Sequence, residues 1–182
     1  MVTVCPWDDA AGFVNLLRAA KRLLLDEYDF MLVVMSGESE EKQLRKLLVE
    51  FELSQAVVSV PRLSPFGAVI SGGDIFIQPG PKKTFDPMLL EAMRVGTVLA
   101  GCKGGVDDLV IEGQTAAVFD PKDELGIYKT LKDLLDKPDY ARQLAKNAQE
   151  YLKKNHTVSS MISATLAVYR QAQMLPLSIG DS

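Results

Sequence analysis

Apolar residues along this chain fall into two alternating patterns. Short, nearly continuous runs occupy 1–5, 30–35, 56–60, 74–78, 97–100 and 116–119, and each stops at a proline, a glycine, a Ser-Gly pair or, for the last, Asp120-Pro121. Runs of that length and punctuation predict strands buried on both faces. Between them, apolar positions recur at helical spacing. Phe13, Leu16, Leu17, Ala20 and Leu24 share one face of a helix capped by Asp8 or Asp9 and running to about Glu27. Leu44, Leu47, Leu48 and Phe51 do the same over 39–51, where Ser39-Glu40-Glu41 puts acids in the first turn, as the helix dipole favours.

Further along, 65–71 predicts a short helix ended by Gly72-Gly73, and 86–94 a helix with Asp86 as N-cap and Pro87 as its first residue. Another helix is expected to open near Val106. After the sixth strand the chain turns helical. Ile127, Leu131, Leu134 and Leu135 form one inward face, Tyr140, Leu144, Ala148 and Tyr151 a second, and a last helix covers about 158–174. Residues 175–182 read as a frayed tail.

Strands separated by helices imply βαβ units with right-handed crossovers. The expected fold class is α/β: a doubly wound, parallel, six-stranded Rossmann-like sheet with helices on both faces and C-terminal helices. One domain is expected over 1–174. Ligands of such sheets lie at the carboxyl ends of the strands. Here those ends are Cys5-Pro6-Trp7, Ser36-Gly37, Pro61-Arg62, 79–85 and 101–105.

Composition narrows the classes. With 47% hydrophobic and 24% charged residues in 182, the chain is an ordinary globular one. A net charge of −4 leaves no basic face for nucleic acid. No apolar run reaches the ~20 residues that span a bilayer, and no signal peptide is visible, so a cytoplasmic setting is the expectation. Cys5 and Cys102 cannot build a disulfide framework and lack metal-ligand spacing, so no metal and no cofactor is expected. His156, the single histidine, lies in the polar 153–157 junction, a poor place for a catalytic base. Trp7 either lines the cleft or packs.

The segments 74–79, 85–93, 96–105 and 111–115 carry a resemblance. Leu90-Glu91-Ala92-Met93, then Gly96, then Gly104-Gly105, in that order and spacing, resemble the C-terminal half of a group 1 glycosyltransferase, the large retaining GT-B family that uses nucleotide sugars. The likeness covers about residues 2–172. It implies a domain that binds a UDP-, GDP- or ADP-linked sugar, while a separate N-terminal domain or subunit supplies the acceptor site. It also implies donor contacts at Lys83, Thr84, Phe85, Glu91, Lys103, Gly104 and Gly105, with Asp108 where a glutamate is usual.

Several positions depart from the family pattern. Family donor sites carry two acids eight positions apart, which fall here on Lys83 and Glu91. Glu91 is the acid expected on the ribose hydroxyls. Lys83 replaces the acid that meets the transferred sugar, and lysine cannot accept a hydroxyl proton. Pro6 and Ala11 stand where the family places an arginine and a lysine for the diphosphate, and Arg18 is the nearest downstream cation. Asp86-Pro87 replaces a glycine turn whose amides reach the phosphates; the aspartate occupies those donors and the proline deletes one. Lys82, Lys83 and Lys103 either offset this or are solvated. The expected function is nucleotide-sugar binding as part of a retaining hexosyl transferase, inactive without its acceptor domain and with no catalytic residue on this chain. The alternative is a non-catalytic module serving as a scaffold or partner-binding domain. An epimerase half is disfavoured, since the dinucleotide fingerprint is missing.

Overall fold

A computed structural model describes residues 1–5, 10–62, 65–81, 86–102 and 109–174. Six strands, β1 (Val2–Val4), β2 (Leu32–Ser36), β3 (Val57–Pro61), β4 (Ile75–Gln78), β5 (Val98–Cys102) and β6 (Ala116–Phe119), form one sheet in the order β3-β2-β1-β4-β5-β6. Every pairing is parallel. The strand order reverses between β1 and β4, where Val2 pairs with Phe76 and Thr3 with Ile77. Thr3 Oγ1 donates to the Ile77 carbonyl at 2.8 Å and locks the two strands together.

Seven helices are described: α1 (Ala10–Leu25), α2 (Glu38–Glu50), α3 (Gly67–Ser71), α4 (Pro87–Val95), α5 (Glu124–Asp136), α6 (Pro138–Asn155) and α7 (Val158–Met174). They cover both faces of the sheet. On one face Phe13, Leu16, Leu17 and Ala20 of α1 pack with Leu44 and Leu48 of α2 and Ile127, Leu131 and Leu134 of α5 over Ile75 and Ile77. On the other, Ile70 of α3, Leu89, Ala92 and Met93 of α4, and Ala148 of α6 pack on Val2, Phe76 and Leu99. Alternate residues of β4 therefore serve opposite cores, the reason its run is almost wholly apolar. Each fully buried Leu or Phe contributes about 1.5–3 kcal/mol of burial free energy, and this continuous double core holds the sheet edge rigid.

Most expected elements are present within a residue or two. β2 starts at Leu32 rather than Phe30, because Met31 is 47% exposed. The inward face of α6 is Leu144, Ala145 and Ala148; Tyr140, expected there, is exposed. The helix expected from Val106 begins on residues outside the described set, and from Leu109 the chain is non-helical. Thr115 closes that segment: its hydroxyl donates to the Leu109 carbonyl and accepts from Ile111 N at 2.9 Å, while Gly113 takes a left-handed φ of 69°. A threonine bonding backbone on both sides gives the segment an alternative to the helical ladder. The described side chains of α7 are exposed along its length, with Met161, Ile162, Leu166, Val168 and Tyr169 its large apolar residues. Among the described residues, no helix is long and apolar enough to cross a membrane.

Candidate functional site

The carboxyl ends of the strands gather the polar chemistry. α1 comes very close to this edge, since a Cβ at Gly12 would collide with the Pro79 carbonyl oxygen just beyond β4. Only glycine allows that approach. Asn15, one turn on, donates from Nδ2 to the Pro121 carbonyl at 2.9 Å and ties α1 to the loop after β6.

On the β1–β2–β3 side, one arginine holds three strand ends. Arg62, just past β3, donates from Nη2 to the Cys5 carbonyl after β1 at 2.6 Å and to both carboxylate oxygens of Glu40 at 2.9 Å. Glu40 is 7% exposed and also accepts from Gly37 N at 2.7 Å, so the third helical residue caps the N–H at the start of α2. The hydroxyls of Ser36 and Ser59 pair at 2.7 Å across β2 and β3. Burial, with the Glu40 charge adding to it and Arg62 opposing, pushes the Cys5 thiol up to about 11. That thiol is protonated at neutral pH and is no nucleophile. Sequence reasoning read Glu40 as a dipole acid and Arg62 as a strand-end residue. Their pairing over 22 positions has no local signature.

On the β4–β5 side the arrangement differs. Asp86 caps α4, its Oδ1 accepting from Met88 N at 2.9 Å, and its carbonyl accepts from Leu89 N at 3.2 Å. Pro87 has no N–H to offer. The first-turn donors that a phosphate would use are thus taken or absent, as the sequence implied. At the end of β4, Gln78 is 4% exposed, and its Nε2 has no hydrogen-bond partner among the described residues.

Glu91 lies on α4 and is gripped by Arg94, whose Nε and Nη2 donate to its two oxygens at 2.8 and 2.7 Å. These hydrogen bonds hold its carboxyl below the usual carboxylate range, burial working weakly against them. The carboxylate rests on the start of α3, where a Cβ at Gly67 would collide with Glu91 Oε1. Glu91 is the one expected donor contact within the described residues. Lys83, Thr84, Phe85, Lys103, Gly104 and Gly105 lie outside them, as do Pro6, Trp7, Lys82 and Asp108. Arg18 donates to Asn15 Oδ1 on its own helix at 3.3 Å and stands over the Phe51 ring at the end of α2. His156 caps the end of α6 and packs against Tyr151. No cluster of three metal-ligating side chains occurs among the described residues.

A cavity of about 450 Å³ lies at the opposite edge, by the amino ends of β4 and β5, lined by Gly73, Asp74, Gly96, Thr97 and Arg142 among others. Parallel sheets bind ligands at the other end. The switch-point edge is the candidate site.

Known proteins bear on this geometry. Residues 7–151 match the family model described as glycosyl transferases group 1. A glycogen synthase of Mycobacterium tuberculosis is 30% identical over 107 residues, covering 58% of this chain and 26% of that protein. Sucrose-phosphate synthase from Thermosynechococcus elongatus superposes with a TM-score of 0.80 at 21% identity, over 94% of this chain and 45% of that one. The Anabaena protein HepE, in complex with UDP-glucose, superposes with a TM-score of 0.74 at 18% identity, over 92% of this chain and 48% of that one. The chain thus spans about a quarter of the curated relative and under half of these solved structures. With its family match running from the end of β1 into α6 and its sheet in the doubly wound order, this chain belongs to the group 1 glycosyl transferases.

Proposed function

We propose that this chain binds a nucleotide sugar and forms the donor half of a retaining hexosyl transferase, inactive until an acceptor-binding domain or subunit completes the cleft. The observation that carries this reading is Glu91. Its carboxylate is oriented by two bonds from Arg94 and set against a bare glycine, so it offers a fixed acceptor pair suited to the vicinal hydroxyls of a ribose. The UDP-glucose complex of the similarly folded HepE supports the ligand class. The strand-order reversal between β1 and β4 gives the crevice in which such ligands lie. A cytoplasmic setting belongs to the same reading.

Calorimetric titration with UDP, GDP and ADP, free and sugar-linked, tests it. At least one should bind tighter than millimolar. Glu91→Ala should then weaken binding by about 1–3 kcal/mol, the loss of one or two hydrogen bonds to a charged group. Absence of binding by every nucleotide sinks the reading.

One observation favours a second reading. The closed start of α4, with Met88 N held by Asp86 and Pro87 lacking a donor, suits a non-catalytic module that keeps the frame and serves as a scaffold or partner-binding domain. Under that reading no nucleotide binds, and Asp86→Ser opens no phosphate site.

A further inference from the structure

We propose that the Gln78 side-chain amide is a donor-recognition group, its Nε2 hydrogen-bonding an acceptor oxygen of the bound nucleotide sugar. This rests on the nucleotide-sugar reading above. Gln78 ends β4 at the strand-order reversal, is 4% exposed, and leaves its amide nitrogen unpartnered among the described residues. A buried N–H without a partner costs free energy, and such groups persist where something binds them.

Nothing around it in the sheet can satisfy it. By strand alternation Gln78 faces the same side as Phe76, toward the core formed with α4. Its cross-strand partner on β5 is Gly101, which has no side chain and whose Cα faces Val110. On β1, the next position in register is the apolar Val4. The carboxylate at the start of α4 does not satisfy it either: Asp86 accepts from Met88 N, and no bond from Gln78 reaches it among the described residues. A ligand entering the crevice between β1 and β4 brings the missing acceptor as a phosphate oxygen or a sugar hydroxyl. A neutral amide there supplies one hydrogen bond where the first-turn amides of α4 supply none.

The test compares the chain with Gln78→Met, which keeps length and apolar bulk but removes the donor. Without ligand, the variant should unfold at higher urea, because an unsatisfied group has been removed. With ligand, affinity should fall about tenfold. A loss for both UDP and UDP-glucose assigns the bond to phosphate, and a loss for UDP-glucose alone assigns it to the sugar; either supports the proposal. Unchanged affinity for both, or a marked drop in stability that reveals a protein partner for the amide, overturns it. Should the variant not fold, the wild-type amide proton of Gln78 supplies the readout by NMR. It should move downfield on adding UDP-glucose, and a resonance that stays fixed at saturation overturns the proposal. No binding by the wild-type chain is a different failure, since it removes the nucleotide-sugar reading itself.

Discussion

The two halves of the carboxyl edge use their polar residues in opposite ways. Around β1, β2 and β3, the groups at the strand ends find each other: Arg62 meets Glu40 and the Cys5 carbonyl, Glu40 meets Gly37 N, and Ser36 meets Ser59. Around β4 and β5, the α4 start is closed on itself and Gln78 is left with an open donor. A satisfied network stiffens a frame, whereas an unsatisfied buried group raises the energy of the empty state and rewards a ligand. One half is a closed network, and under the proposal for Gln78 the other half is where a ligand is met.

That contrast can be broken by experiment. The largest effect is expected from Arg62→Ala, which leaves the Glu40 carboxylate with Gly37 N as its partner among the described residues. A buried ion pair broken on one side costs about 3–5 kcal/mol, and the partial exposure of Arg62 brings the expectation to about 2–3. Urea unfolding measures it, and a loss under about 0.5 kcal/mol would show that the clamp holds nothing.

Cys5 gives an effect of similar size, with a pH signature. Its thiol ionises near 9.0 when unfolded and resists to about 11 when folded. Its contribution is therefore complete below pH 9.0 and is lost as pH rises through 11, up to about 2.7 kcal/mol in all. Cys5→Ala should flatten that part of the stability curve relative to the parent chain. Identical alkaline slopes would remove the thiol from the network.

On the other half, Asp86→Ala should cost about 1 kcal/mol as a lost N-cap while freeing Met88 N. Pyrophosphate and UDP should then bind more tightly. Unchanged affinity would place the ligand path away from the α4 start. The smallest effect belongs to Arg94→Ala. An exposed i,i+3 pair contributes little to stability, so the melting curve should barely move. Nucleotide affinity should still fall, because Glu91 loses the two bonds that orient it. Equal affinity would mean that the orientation is dispensable.

Much of the frame is legible in the sequence because its determinants are local. The runs at 30–35 and 74–78 are apolar on alternate residues facing both cores, and they became β2 and β4. Asp86-Pro87 spells a helix start, and the observed cap follows. One local inference failed. Tyr140 has the spacing of an inward residue, yet it is exposed on α6, whose inward face is Leu144, Ala145 and Ala148. Glu91 stood out through its neighbours Leu90, Ala92 and Met93, but its grip by Arg94 against Gly67 became visible only in space.

By itself the sequence determined the succession of elements, the parallel sheet, the family and the position of Glu91, since hydrophobic period, turn residues and motif spacing act over a few residues. Tertiary structure alone decided which polar groups are paired. Glu40 and Arg62 meet, and Gln78 does not, because hydrogen-bond partners at a sheet edge come from strands that are neighbours in space and distant in sequence.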